Sequence, residues 1–307
     1  MSAEPAAVPG IRAARTLFAA LFGELVFHPR PDVAAERLED AYSLFYARSA
    51  AMGWLTPAQE GAVGGLWGMN DAEASPDAGP PPHRVAWFQV VLTGPFPGRL
   101  LPVQPFLACA GDVVARLGAL RLEAVQVLLP ERDAPEEGYF ASPSGMRVAW
   151  PLLDTPDWFA DRGPQLRAPV RVTLDGGPDP SMRAAAPAIL RWVQEVRQGV
   201  FACESLSLAD DDHLILRPIP FEDPAADAVH HRVTLRGTLA EWSLDALGWL
   251  AAFLAEGLSR RGISIPLMLT ADRSPTWQTR KTSRLQVCGR PQLEAVRVSP
   301  ATSMGPP

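Results

Sequence analysis

Three stretches of this chain open alike. Arg84-Val85-Ala86-Trp87, Arg171-Val172-Thr173-Leu174 and Arg232-Val233-Thr234-Leu235 each start a strand pattern, followed by a helical pattern and one or two further strand patterns. Arg-Val-Ala-Trp returns at Arg147–Trp150, and Arg-Val-Thr-Leu starts at both 171 and 232. A pattern that recurs at a roughly regular interval marks a supersecondary unit that buries its apolar face by joining its neighbours.

The chain has 307 residues, enough for one large core or two ordinary domains. Apolar residues at 47% and charged residues at 20% describe a globular protein. A net charge of −6 argues against a protein that binds nucleic acid over its whole surface and leaves room for a local basic patch. Lys281 is the one lysine, and no Gly-x-x-x-x-Gly-Lys string exists, which excludes P-loop chemistry. Cys109, Cys203 and Cys288 are odd in number and far apart, so neither a disulfide framework nor a zinc site follows from them. They read as small buried hydrophobes in a reducing, cytoplasmic setting. The apolar run from Leu17 to Phe27 is broken by Glu24 and is about half the roughly 20 residues a membrane span needs.

Residues 1–69 read as a helical region. Leu17, Leu21 and Leu25 with Phe18 and Phe22 form a stripe at helical spacing. Asp32 caps a second helix with Leu38, Ala41, Tyr42 and Phe45 inward, and Thr56-Pro57-Ala58-Gln59 starts a third that runs to about Met69. Residues 70–82 are rich in Asp, Ala, Gly and Pro, as a linker or surface loop is. An α+β body over 83–299 follows, with units at about 83–153, 169–220 and 231–298, and 300–307 form a disordered tail. Strands are predicted at Val85–Leu92, Glu123–Leu129, Met146–Leu153, Val170–Leu174, Glu204–Leu208, Leu214–Ile219, His231–Leu239 and Ile263–Leu269. Helices are predicted from Pro105, around Pro187, and from the cap Ser243 to Gly262. The expected fold is α+β: a mixed β-sheet of about three strand-helix-strand-strand units with ferredoxin-like local topology, helices on one face, behind a small N-terminal helical region.

Chemistry has three candidate places. Asp210, Asp212 and His213, with Asp227, His230 and His231, concentrate carboxylates and imidazoles that suit a divalent cation, although no zinc-type spacing is present and acidic residues also make good turns. Arg273, Trp277, Arg280, Lys281, Arg284 and Arg290 form the basic segment of an acidic chain, where guanidinium groups and an indole suit phosphate and base. Trp150, Trp158 and Phe159 sit on a Pro-rich connection and suit partner contacts. No serine stands in a Gly-x-Ser-x-Gly elbow, and Asp175-Gly176-Gly177 lacks the glycine run of a dinucleotide loop. His83 and His231 each precede an Arg-Val strand, a shared structural place. The expectation is a non-catalytic, cytoplasmic protein-binding or assembly component without a cofactor, whose partner is another protein or itself. Two alternatives are anion binding (nucleotide or nucleic acid) through 273–297 and a divalent-metal-dependent enzyme using 210–231.

Overall fold

The computed structural model describes residues 15–29, 40–56, 64–76, 81–93, 100–131, 158–159, 167–196, 199–208 and 230–273. The chain divides into two units, 1–273 and 274–307, and the described residues belong to the first.

The predicted N-terminal helix is a strand, β1 (Thr16–Phe27). Its run is apolar at nearly every position because both sides are used. Leu17, Ala19 and Leu21 enter one core cluster, while Phe18, Ala20 and Phe22 form another on the opposite side of the sheet. A strand buried on both faces shows no alternation, so the helical spacing inside it carries no information. The next helix, α1 (Ala41–Ala51), is capped by Asp40 rather than Asp32: the Ser43 N–H donates to the Asp40 carboxylate at 2.7 Å. Tyr42, expected inward, is exposed, and Leu44 joins Ala41 and Phe45 inside. Where the third helix was expected to end, the chain forms strand β2 (Trp67–Glu73), so β1 and β2 belong to the same sheet as the rest.

The remaining elements are β3 (Arg84–Leu92), α2 (Val103–Leu117), β4 (Gly118–Leu129), β5 (Ala168–Asp175), α3 (Ser181–Glu195), β6 (Phe201–Ser207), β7 (Arg232–Leu239), α4 (Leu244–Ser259) and β8 (Leu267–Asp272). Pro187 lies inside α3, and Ser243 caps α4 as expected. The strands predicted at Met146–Leu153 and Leu214–Ile219 lie outside the described residues.

The eight strands form one sheet in the order β2-β3-β1-β4-β8-β5-β7-β6, and every pairing between these strands is antiparallel. This corrects the mixed sheet. Strand-helix-strand crossovers do make parallel strands, but here a third strand lies between the two: β3 between β1 and β2, β1 between β3 and β4.

Three units also become two. Elements β1 to β4 with α1 and α2, and β5 to β8 with α3 and α4, repeat the order strand-helix-strand-strand-helix-strand. Phe22 faces Arg84 as Asp175 faces Arg232, and Ala20 faces Gln126 as Thr173 faces Thr270. Gln126 and Thr270, equivalent by this register, stand opposite each other where β4 meets β8, so a pseudo-twofold axis passes between them. Each seven-residue edge strand even slips register at its fourth residue, Asn70 in β2 and Glu204 in β6. Arg84 and Arg232, with His83 and His231 before them, occupy equivalent strand starts. Arg171 lies within β5, the counterpart of β1. The Arg-Val-Thr-Leu strings share an alternation, with Arg and Thr on one side and Val and Leu on the other, rather than a place in the unit.

All four helices cover one side. Helix α2 packs on α4 across the pseudo-axis, with α1 beside α2 and α3 beside α4. A Cβ on Gly248 would stand 2.8 Å from the Gln104 Cα, which is why α4 carries glycine where it crosses α2. The sheet residues facing the helices are apolar in both halves: Leu17, Ala19 and Leu21 match Val170, Val172 and Leu174, all 0% exposed.

Candidate functional site

On the side that carries none of the described helices the halves differ. The first half places Phe18, Ala20, Phe22 and Ala124 there, with Trp87, Leu128 and Met268 packed against them. The equivalent positions in the second half are Arg171 for Phe18, Thr173 for Ala20, Asp175 for Phe22 and Asp272 for Leu128. Alternation along β5 and β7 puts Arg171, Thr173, Asp175, Arg232, Thr234 and Arg236 on one side and valines and leucines on the other.

Two ionic clusters result. In the first, the Arg171 Nε–H donates to Asp272 Oδ2 at 2.8 Å, with the side chains 8% and 5% exposed. Arg236 stands opposite Arg171. Burial pushes the Asp272 carboxyl above its ordinary value, against the pull of Arg171 and Arg236. In the second, Asp175 accepts from the Arg232 Nε–H at 2.8 Å, from the Gly177 N–H at 2.8 Å and from His230 Nδ1 at 3.0 Å. Burial pushes its carboxyl up, but the Arg232, Gly177 and His230 hydrogen bonds outweigh this and hold it below the ordinary range. Between the clusters, the Thr173 and Thr234 hydroxyls hydrogen-bond at 3.2 Å. An imidazole whose Nδ1–H is held by a carboxylate presents Nε2 as a base or ligand, so His230 has the geometry for proton transfer or for metal ligation.

His230 thus meets Asp175, a partner the sequence reading did not assign to it, while Asp210, Asp212, His213 and Asp227 lie outside the described residues. His231 lies on the same strand start, and its N–H donates to the Gly177 carbonyl at 2.8 Å. Among the described residues no group of three His, Cys, Asp or Glu side chains is arranged to hold a metal. Of the basic segment Arg273 is described: it is exposed, and its N–H donates to the Glu123 carbonyl at 3.1 Å. Trp277, Arg280, Lys281, Arg284 and Arg290 lie outside, as does Trp150. Trp158 is 65% exposed, whereas Phe159 is buried in the core, which removes it from the expected contact aromatics. Burial raises the thiols of Cys109 and Cys203 to about 11, so neither is a thiolate near neutrality. A cavity of about 20 Å³ between Leu101, Leu129, Leu258 and Ile265 has the volume of a single water and no polar side chain to hold one. No described helix is long and apolar enough to cross a membrane.

A second surface belongs to the first half. Beyond Phe22 and Ala124, β1 and β4 leave the other described strands and, among the described residues, pair only with each other, Gly23–Phe27 against Gly118–Leu122. The bend is at Gly23, whose φ of +148° suits glycine and whose Cβ would stand 2.1 Å from the Arg121 carbonyl oxygen. On this arm Arg121 bridges Glu24 at 3.1 Å and Glu123 at 3.0 Å, while Val26 and Phe27 are 59% and 39% exposed. The outer face of α1 exposes Tyr42 and Tyr46, one turn apart, and Met52 follows at its end. Among the described residues, every exposed large apolar side chain except Trp158 lies in the first half.

A scan against protein-family models, a search of curated proteins and a search of solved structures each found no match to this chain.

Proposed function

We propose that the chain is a non-catalytic protein-binding or assembly component that docks through its first half and works in the cytoplasm. The observation that carries this reading is the one-sided distribution of exposed apolar side chains: Val26, Phe27, Tyr42, Tyr46 and Met52 stand in one half, and the second half exposes none among its described residues. Tyrosine and other large apolar groups dominate interface energetics, and two identical scaffolds under equal demands have no reason to differ in this way. Within the proposal each half is a ferredoxin-like unit, and the paired units form the rigid platform that presents the arm and α1. The ionic clusters of the second half are read as structural, because the carboxylates of Asp272 and Asp175 are engaged by Arg171, Arg232 and His230.

The test is co-purification. Tagged full-length chain is expected to bring down a protein in fixed stoichiometry, or a second copy of itself, and Val26→Asp with Phe27→Asp is expected to reduce that recovery at least tenfold without altering the melting temperature. Recovery of no protein by the unmutated chain sinks the reading.

A further inference from the structure

Along β1, residues with even numbers bond to β4: the His28 N–H donates to the Leu117 carbonyl at 3.0 Å, and the pairs Val26–Ala119 and Glu24–Arg121 keep the same phase. Residues with odd numbers turn the other way. Gly23 gives its N–H to the His83 carbonyl at 2.9 Å, the last bond on that side among the described residues. Further along the line of β3 come Pro82 and Pro81, where the chain bends and no N–H exists to continue the ladder. The backbone groups of Leu25 and Phe27 therefore meet no partner among the described residues, beside an exposed Val26. An unpaired edge next to apolar side chains is a template for another strand.

We propose that this edge pairs with the same edge of a second copy, making an isologous dimer through two antiparallel β1 arms. The inference rests on the protein-binding reading and names its partner. Bonding through Leu25 and Phe27 sets one register: Leu25 opposite Phe27 of the second copy, Val26 opposite Val26, Glu24 opposite His28. Each cross-strand pair is favourable: aliphatic with aromatic, β-branched with β-branched, carboxylate with imidazole. The segment Glu24-Leu25-Val26-Phe27-His28 is complementary to itself when reversed, which is what a twofold contact requires. No like charges meet in these pairs; within each copy Glu24 accepts from the Arg121 Nε–H at 3.2 Å and His28 Nε2 lies 3.1 Å from the Ala115 carbonyl oxygen, so the Glu24–His28 pairing adds to contacts already made.

The experiment is sedimentation of the full chain across the micromolar range, joined to cysteine cross-linking. Val26→Cys is expected to give a covalent dimer under mild oxidation, because directly opposite residues of a non-hydrogen-bonded pair stand about 4.5 Å apart at Cα. Phe27→Cys, which faces Leu25, is expected to cross-link at least tenfold less, and the unmutated chain supplies the background of the native cysteines. Leu25→Pro is expected to weaken the dimer at least tenfold, and Glu24→Lys likewise, with His28→Glu added to Glu24→Lys restoring it. A dimer in which Val26→Cys and Phe27→Cys cross-link equally overturns the proposal. A monomer that still recovers another protein overturns the self-pairing and leaves the protein-binding reading standing. A monomer that recovers nothing overturns both.

Discussion

Phe18 and Arg171 hold the same place in two copies of one scaffold, as do Leu128 and Asp272. The helix-facing residues beside them are apolar in both halves, so the contrast is confined to one side of one sheet. Apart from Gln126, the first half fills the centre of that side with aromatic and aliphatic groups, and it extends β1 and β4 into an arm. The second half fills it with arginine, threonine and aspartate apart from Met268 opposite Asp175, and its β8 spans six residues where β4 spans twelve. Packing against helices constrains both halves alike, and the side that carries none of the described helices is where chemistry diverged.

Mutations in matched places sharpen this contrast. The largest effect is expected for Asp272→Ala, which leaves the buried Arg171 guanidinium unpaired: a loss of about 3–5 kcal/mol in urea unfolding. Installing the first-half residues together, Arg171→Phe with Asp272→Leu, is expected to be neutral or stabilising by up to about 4 kcal/mol. A double variant as unstable as Asp272→Ala would break the idea that the two faces are interchangeable solutions.

Next is Asp175→Asn, expected to cost about 1–3 kcal/mol near neutral pH through its charged hydrogen bonds. Its pH dependence has a defined sign. The Asp175 carboxyl lies below the ordinary 3.8 in the fold, so its contribution is complete above that value and fades as pH falls through the lower folded one. Asp272 behaves oppositely: its carboxyl lies above 3.8, the folded chain holds that proton more tightly, and stability declines as pH rises from 3.8 through the folded value. Against Asp175→Asn and Asp272→Asn, the unmutated protein should show slopes of opposite sign in acid. Like slopes would contradict the two assigned environments.

The helix layer offers a smaller comparison. Gly248→Ala forces a Cβ toward the Gln104 backbone at 2.8 Å and is expected to cost about 1–3 kcal/mol. On α2, Gly111→Ala meets the flexible end of Leu244 at 3.1 Å, and the gain in helix propensity should leave it within about 1 kcal/mol of neutral. Smallest are the caps. Asp40→Ala on α1 and Ser243→Ala on α4 are each expected to cost about 1 kcal/mol in thermal unfolding, whereas α2 and α3 have prolines at the cap and no side-chain cap bond to lose.

Much of the architecture could be read in advance where local rules act. The periodicity of α2 and α4, the Ser243 cap, the strands at β5 and β7 and the paired strand starts at His83-Arg84 and His231-Arg232 all depend on neighbours within a few residues, and they stand as expected. Arg171, Thr173 and Asp175 at every second position of β5 were a legible sign of a polar sheet side; the partners Asp272 and His230, 101 and 55 residues away from Arg171 and Asp175, were not. The sequence by itself determined which segments carry an apolar face and at what period. It could not determine that β1 is a strand, because a segment buried on both sides loses the alternation that identifies it. Only the tertiary structure decided that β3 lies between β1 and β2, that the two six-element units meet at Gln126 and Thr270, and that the prolines before β3 give the arm no further partner among the described residues. Those outcomes are set by long-range pairing, whose closing contacts no local pattern records.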